Sequence, residues 1–166
     1  MHIKSSRHKN QRGMSLVEVI IAAAIIGSSV VFIMGVYSGL SKLSFRNTAR
    51  IQSAMLAEEG VVAVKTMRDA GWSSQIASLT METPYRLYWT GSAWRATTSP
   101  AIIDNQFDRT FVLSSVSRDN TSADIVTSGG TVDVNSRKVT VNVAYQDNGA
   151  TTTKSLESYI FNIFNN

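Results

Sequence analysis

Cysteine is absent from the chain, and its only histidines, His2 and His8, stand within the first eight residues. Beyond them no Ser-His-Asp or Cys-His nucleophile, thiolate metal site or His-ligated metal site can be assembled. A disulfide framework is excluded as well. Hydrolysis by a carboxylate pair survives only as a formal option, so the composition points to a protein that is not an enzyme. Proline is also scarce, with two residues in 166 and none before Pro84. Any kink in an early helix must therefore come from glycine. Charge is missing from one long stretch: residues 19–41 contain no Asp, Glu, Lys or Arg. That is enough helix to cross about 30 Å of hydrocarbon.

What charge there is lies unevenly. The formal net charge is +4, but Lys4, Arg7, Lys9 and Arg12 all precede Met14, and the rest of the chain carries 12 basic against 12 acidic side chains. The pI of 9.6 therefore reports the first thirteen residues and does not signal nucleic-acid binding. Basic residues before an apolar helix predict a cytoplasmic N-terminus.

Glu18 stands at the mouth of the uncharged stretch, in MSLVEVIIAAAIIGSSVVFIMG. Three readings of residues 14–43 are open. A secretory signal would use Ala22-Ala23-Ala24 as its cleavage site, but its apolar part before that site is short, contains Glu18, and continues beyond it. A signal anchor has the right length and leaves Glu18 unexplained. A cleaved precursor explains it. If the leader is cut after Gly13, as the family resemblance these residues carry implies, an α-amino group is exposed at Met14, protonated at neutral pH because such groups titrate near ~8. Met14 and Glu18 are four residues apart, one turn of helix, and pairing removes much of the cost of placing each charge in lipid. A carboxylate that snorkels to the headgroups is the plainer alternative.

The same residues carry a resemblance. A short basic leader ending in Gly13, an apolar first residue at Met14, glutamate at the fifth position after the cut and an unbroken apolar helix resemble the type IV pilin superfamily, pseudopilins included. The resemblance implies cleavage between Gly13 and Met14 by a membrane-embedded aspartic prepeptidase, which usually also N-methylates the new terminus. It further implies that Glu18 meets the terminus of a neighbouring subunit. Met14 departs from the phenylalanine commonest in that place, which bears on methylation more than on cleavage. Gly27, Gly35 and Gly39 are the residues expected to allow close helix packing and flexibility.

Residues 44–70 continue the helical pattern, rich in Ala, Met, Leu, Glu and Lys. Ile51, Met55 and Val62 can share one face, with Arg50, Glu58, Glu59 and Lys65 mostly elsewhere; Gly71 is the expected C-cap. Residues 14–70 could form one helix of about 85 Å, at ~1.5 Å per residue. Beyond Gly71 the period changes to two. Residues 84–97 read as a hairpin turning at Gly91-Ser92, with Trp89 opposite Trp94 in a sheet-stabilising pair. Strands are expected at 109–117, 137–145 and 156–164, with a turn at Asp147-Asn148-Gly149 and polar loops at 103–109, 117–136 and 146–153. Asp and Asn in those loops admit calcium through oxygen ligands, but Asx turns explain the same residues, and no cofactor is expected. The arginines Arg86, Arg95, Arg109, Arg118 and Arg137 read as a solvated surface.

The expected fold is α+β: a long N-terminal helix, membrane-spanning in its first half, packed against a small antiparallel sheet. Its parts are a cleaved leader at 1–13, a transmembrane and filament-core helix at 14–43, an amphipathic continuation at 44–71 and a sheet domain at 72–166. The expected function is a structural subunit of a type IV pilus or pilus-like filament, most like a minor pilin. The alternatives are a minor pseudopilin of a type II secretion or DNA-uptake system and, in another class, an adhesin or nucleic-acid-binding module on a membrane anchor. Partners implied by the resemblance are other subunits, the prepilin peptidase, and a membrane assembly platform with its cytoplasmic ATPase. The lipid bilayer holds the subunit before assembly, and nucleic acid is not expected as a partner. The expected location is the cytoplasmic membrane, with the C-terminal domain outside, and then a filament.

Overall fold

A computed structural model of the chain describes residues 15–164. The leader, with Gly13 and Met14, lies outside the described residues. The chain divides into two compact units, Met1–Phe45 and Arg46–Asn166, and helix α1 (Leu16–Ala70) contributes residues to both.

In the first unit α1 is apolar on every side. Its most apolar 18-residue window has a mean hydropathy of 2.6, and none of that window is buried within the chain. Leu16, Ile20, Ile25, Val31, Phe32 and Met34 are all well exposed. A helix apolar all round needs an apolar surrounding. Its serines suit one: the hydroxyls of Ser28 and Ser29 donate to the carbonyl of Ile25 at 2.9 and 2.7 Å, so neither is left unpaired in lipid.

The second unit holds the rest of α1, a short helix α2 (Trp72–Gln75) and seven strands. These are β1 (Tyr85–Trp89), β2 (Trp94–Thr97), β3 (Ile102–Ile103), β4 (Phe107–Arg118), β5 (Ile125–Val126), β6 (Thr131–Asp147) and β7 (Ala150–Phe161). The sheet is antiparallel, in the order β2-β1-β4-β6-β7, with β3 and β5 on β4. The expected α+β architecture is therefore the observed one. Alternation sets the inner face: Phe107, Phe111 and Leu113 of β4, Val139, Val141 and Val143 of β6, and Ile160 of β7 are fully buried.

The face that the helix buries is not the one that carries Ile51, Met55 and Val62. Ala49, Ser53, Ala57, Gly60, Val64 and Met67 face inward. Ile51, Met55 and Val62 remain 61%, 64% and 60% exposed. At 100° per residue the two sets lie on opposite sides of the helix. The inner face is chosen by closeness of approach. A β-carbon built on Gly60 would lie 2.8 Å from Val141 Cγ1, so the backbone sits almost on the sheet. The helix ends at Ala70, where the Gly71 N–H reaches the carbonyls of Met67 and Arg68 at 3.2 Å each. Gly71 takes φ 158°, a positive-φ conformation open to glycine but outside the left-handed helical region, so it closes the helix without the left-handed cap.

The strands are longer than expected, at the expense of the loops. Phe107, Asp108 and Arg109 belong to β4, β6 begins at Thr131, and β7 begins at Ala150. Within the 117–136 segment lies β5, paired with Ser117 and Arg118. The turns follow their residues. Asn148 and Gly149 take φ 60° and 81° between β6 and β7, as a type I′ turn requires. Gly91 takes φ 95° between β1 and β2. Trp89 and Trp94 are opposed as expected, with ring centroids 5.5 Å apart and edge-on.

Candidate functional site

Two surfaces hold the residues singled out by sequence. The first is on the apolar part of α1. Glu18 lies in the first turn, where the helix dipole favours a carboxylate by about 0.3–1 kcal/mol. It lines a shallow groove of about 400 Å³ with Ser15, Val17, Ile21, Ala22 and Ile25. Among the described residues Glu18 has no ion-pair partner, and no other acidic residue precedes Glu58. An isolated carboxylate on an apolar helix carries a desolvation cost that a cation would relieve. The Met14 amine, four residues earlier, falls outside the described residues. Gly27, Gly35 and Gly39 are in the same helix, and an added β-carbon at any of them would meet nothing within 4 Å. Each leaves a shallow place on the surface where another backbone can approach.

The second surface is the outward face of α1 in the second unit. Ile51, Met55 and Val62 fall within about 40° of arc and make an apolar stripe that the chain itself does not cover. They share one face, as their spacing predicts, and that face turns away from the sheet.

The arginines depart from expectation. Arg109 and Arg137 are only 4% and 8% exposed. Arg109 projects from the inner face of β4 toward the helix. Its Nη1 donates to the Leu56 carbonyl at 3.3 Å and lies 3.2 Å from the Glu59 carboxylate. Its guanidinium sits 5.5 Å from the centroid of the Trp94 ring. Arg137 donates to the carbonyls of Val134 and Ser136 at 2.9 and 2.8 Å, holding the place where β4 and β6 shift register. Burial pushes its pKa down from the ordinary arginine value. Arg86 pairs with Asp108 at 2.7 Å, which raises the guanidinium's pKa. These side chains hold the domain together instead of forming a free cationic surface.

Arg118 organises the far end of the sheet. Its Nε donates to Asp133 Oδ2 at 2.7 Å, its Nη2 to Ser136 Oγ at 3.1 Å and its Nη1 to the Ala123 carbonyl at 2.9 Å. The Ser136 hydroxyl also donates to Asp133. That bond, with Arg118 and the Asn135 N–H, holds the Asp133 carboxyl down at about 2 from an ordinary 3.8. Asp119 accepts the N–H groups of Ser122 and Thr121, which lowers its pKa as well. These are Asx-turn contacts. Among the described residues no group of three or more His, Asp or Glu side chains is placed to hold a metal ion.

Residues 8–34 match the family model described as the prokaryotic N-terminal methylation motif. That segment contains Gly13, Met14, Glu18 and Gly27. No curated protein and no solved structure matches the chain.

Proposed function

Because the chain carries the N-terminal methylation motif of type IV pilin and pseudopilin precursors, we propose that it is a minor subunit of a type IV pilus or pilus-like filament. The motif implies a prepilin peptidase and other subunits of the same kind as partners in general. The apolar helix near the N-terminus fits membrane anchoring. In this reading the leader is cut between Gly13 and Met14 and the new terminus is methylated. The subunit then waits in the cytoplasmic membrane with the sheet domain outside. An assembly platform driven by a cytoplasmic ATPase moves it from lipid into the filament. Its role is structural, not catalytic.

The observation that carries the reading is Glu18. It is a solitary carboxylate, the fifth residue after the proposed cut, within the matched motif and at the start of a helical stretch otherwise apolar and unburied. A neighbour's Met14 amine supplies the missing cation, and the pairing sets the axial register of one subunit on the next. Peptide mass spectrometry of membrane and surface-sheared fractions tests this. A terminus at Met14, methylated, in the sheared fraction is the expected result. An intact Met1 confined to membranes would leave a signal anchor.

A further inference from the structure

The outer face of the sheet, opposite the face that α1 covers, carries a cleft. About 400 Å³ in volume, it lies between β5 and the ends of β4, β6 and β7, within the range of small-ligand sites. Ser114 of β4, Lys138 of β6 and Tyr159 of β7 stand in one row, each opposed to the next across the ladder. The hydroxyls of Ser114, Ser115, Ser117, Thr127 and Tyr159 all line the cleft. None of the five side chains makes a hydrogen bond among the described residues. Hydroxyls elsewhere on the domain surface are by contrast paired: Ser155 with Asn142, Thr131 with Asn120, Thr151 with Gln146.

The far wall is preformed. Ile125 and Val126 of β5 supply its apolar part. The loop behind them is fastened by Arg118 to the Ala123 carbonyl, by Asp119 to the N–H groups of Thr121 and Ser122, and by the Asp119 N–H to the Asp124 carbonyl at 2.8 Å. Gly130 permits the return, since a β-carbon there would run into the Arg118 carbonyl. A wall held this way does not have to be ordered when a ligand arrives.

The chemistry of the cleft is neutral and hydroxyl-rich. Lys138 Nζ lies 3.1 Å from Glu157 Oε1, so the one cation is balanced beside it, and an anionic ligand would have to compete with that carboxylate. An exposed aromatic ring, two aliphatic side chains and five free hydroxyls match a molecule with apolar C–H faces and hydroxyl edges. We propose that this cleft binds a neutral saccharide, with Tyr159 stacking on a sugar ring and Ser114, Ser117 and Lys138 bonding its hydroxyls.

The test uses the full chain in a detergent without a sugar headgroup. It is titrated calorimetrically with maltotriose, cellotriose, N-acetylchitotriose and, as the acidic counterpart, trigalacturonate. Saturable binding of at least one of the three neutral sugars is expected. Tyr159→Ala should weaken it about tenfold, and Ser117→Val should weaken it in the same direction at an unchanged melting temperature. No saturation by any neutral trisaccharide up to ~10 mM, binding unaltered in both variants, or salt-sensitive binding of trigalacturonate alone would each overturn the proposal. Failure of the filament reading is separable: Glu18→Ala should bind sugar as the parent does, and Tyr159→Ala should enter filaments as the parent does.

Discussion

Gly60 is the position at which helix propensity and packing make opposite demands, so replacing it measures which one governs the domain. Glycine inside a helix costs about 1 kcal/mol relative to alanine. On that ground alone Gly60→Ala should stabilise. The new methyl carbon, however, would lie 2.8 Å from Val141 Cγ1 and 3.3 Å from Arg109 Cδ, against an ordinary carbon separation of about 3.5–4.0 Å. Val141 cannot readily yield. It is fully buried on β6, between β4 and β7, and a β-branched side chain has few rotamers to move to. Overpacking of this kind costs roughly 1–3 kcal/mol. The net effect of Gly60→Ala is then a loss of up to about 2 kcal/mol, or a fall in Tm of up to roughly 8 °C for a chain of this size. Tryptophan fluorescence of the full chain in detergent reads it cleanly, because Trp72, Trp89 and Trp94 all lie in the second unit. Val141→Ala removes the obstructing methyls, so in that background Gly60→Ala should recover at least about 1 kcal/mol. A single Gly60→Ala variant that melts at or above the parent, with no coupling to Val141, would refute the close-approach argument.

Glu18→Ala should leave the Met14 terminus detectable by mass spectrometry while reducing the subunit in sheared filaments; unreduced incorporation would remove the docking role. Replacing Met55 and Val62 together by serine should change stability by no more than about 0.5 kcal/mol per site, as surface substitutions do, yet lower incorporation; a large drop in Tm would put those residues in the core after all. The carboxyl of Asp133 is depressed to about 2 from 3.8. Its contribution is therefore complete above about pH 4 and lost as pH falls through about 2; solvent screening limits it to roughly 1 kcal/mol. Asp133→Asn should lower stability at neutral pH and flatten the acid limb of the stability curve; a limb as steep as the parent's would assign the acid sensitivity elsewhere.

The apolar N-terminal helix, the strand around Val139, Val141 and Val143 and both tight turns were legible because each is fixed by local chemistry: hydropathy, alternation, and the positive φ that Gly and Asn accept. The inner face of α1 was not legible from hydrophobicity. Such scales rank Ile51, Met55 and Val62 above Ala57 and Gly60, whereas burial against this sheet rewards the side chains that let two backbones approach. Polar composition hid the beginning of β7 for a related reason. Thr151, Thr153 and Ser155 lie on an outer face at the sheet edge, where hydroxyls pair across the ladder or meet solvent. Arg109 read as surface because a guanidinium usually is. Its burial depends on the Leu56 carbonyl and Glu59, fifty residues away in sequence and brought near only by the fold.

The unburied stripe on α1 also sets a limit on what it can do. Complete burial of a large apolar side chain is worth about 1.5–3 kcal/mol. Ile51, Met55 and Val62 are already part covered, with about three-fifths of each still exposed, so covering them adds roughly 3–5 kcal/mol. Association costs at least about 4 kcal/mol in lost translational and rotational freedom before any contact counts. The stripe alone therefore cannot hold one subunit to another. Most of the attraction has to come from the first unit, where Leu16, Ile20, Ile25, Phe32 and Met34 and their neighbours are exposed on every side of the helix. Apart from Glu18 and the shallow places left by Gly27, Gly35 and Gly39, that segment is uniformly apolar, and dispersion between such surfaces is similar at many registers. In the proposed filament, specificity then rests on Glu18 with those close-approach sites, and on the stripe of the second unit. This division of labour predicts that loss of the stripe lowers incorporation only in part, whereas loss of Glu18 leaves the apolar attraction intact but no longer selects one axial position.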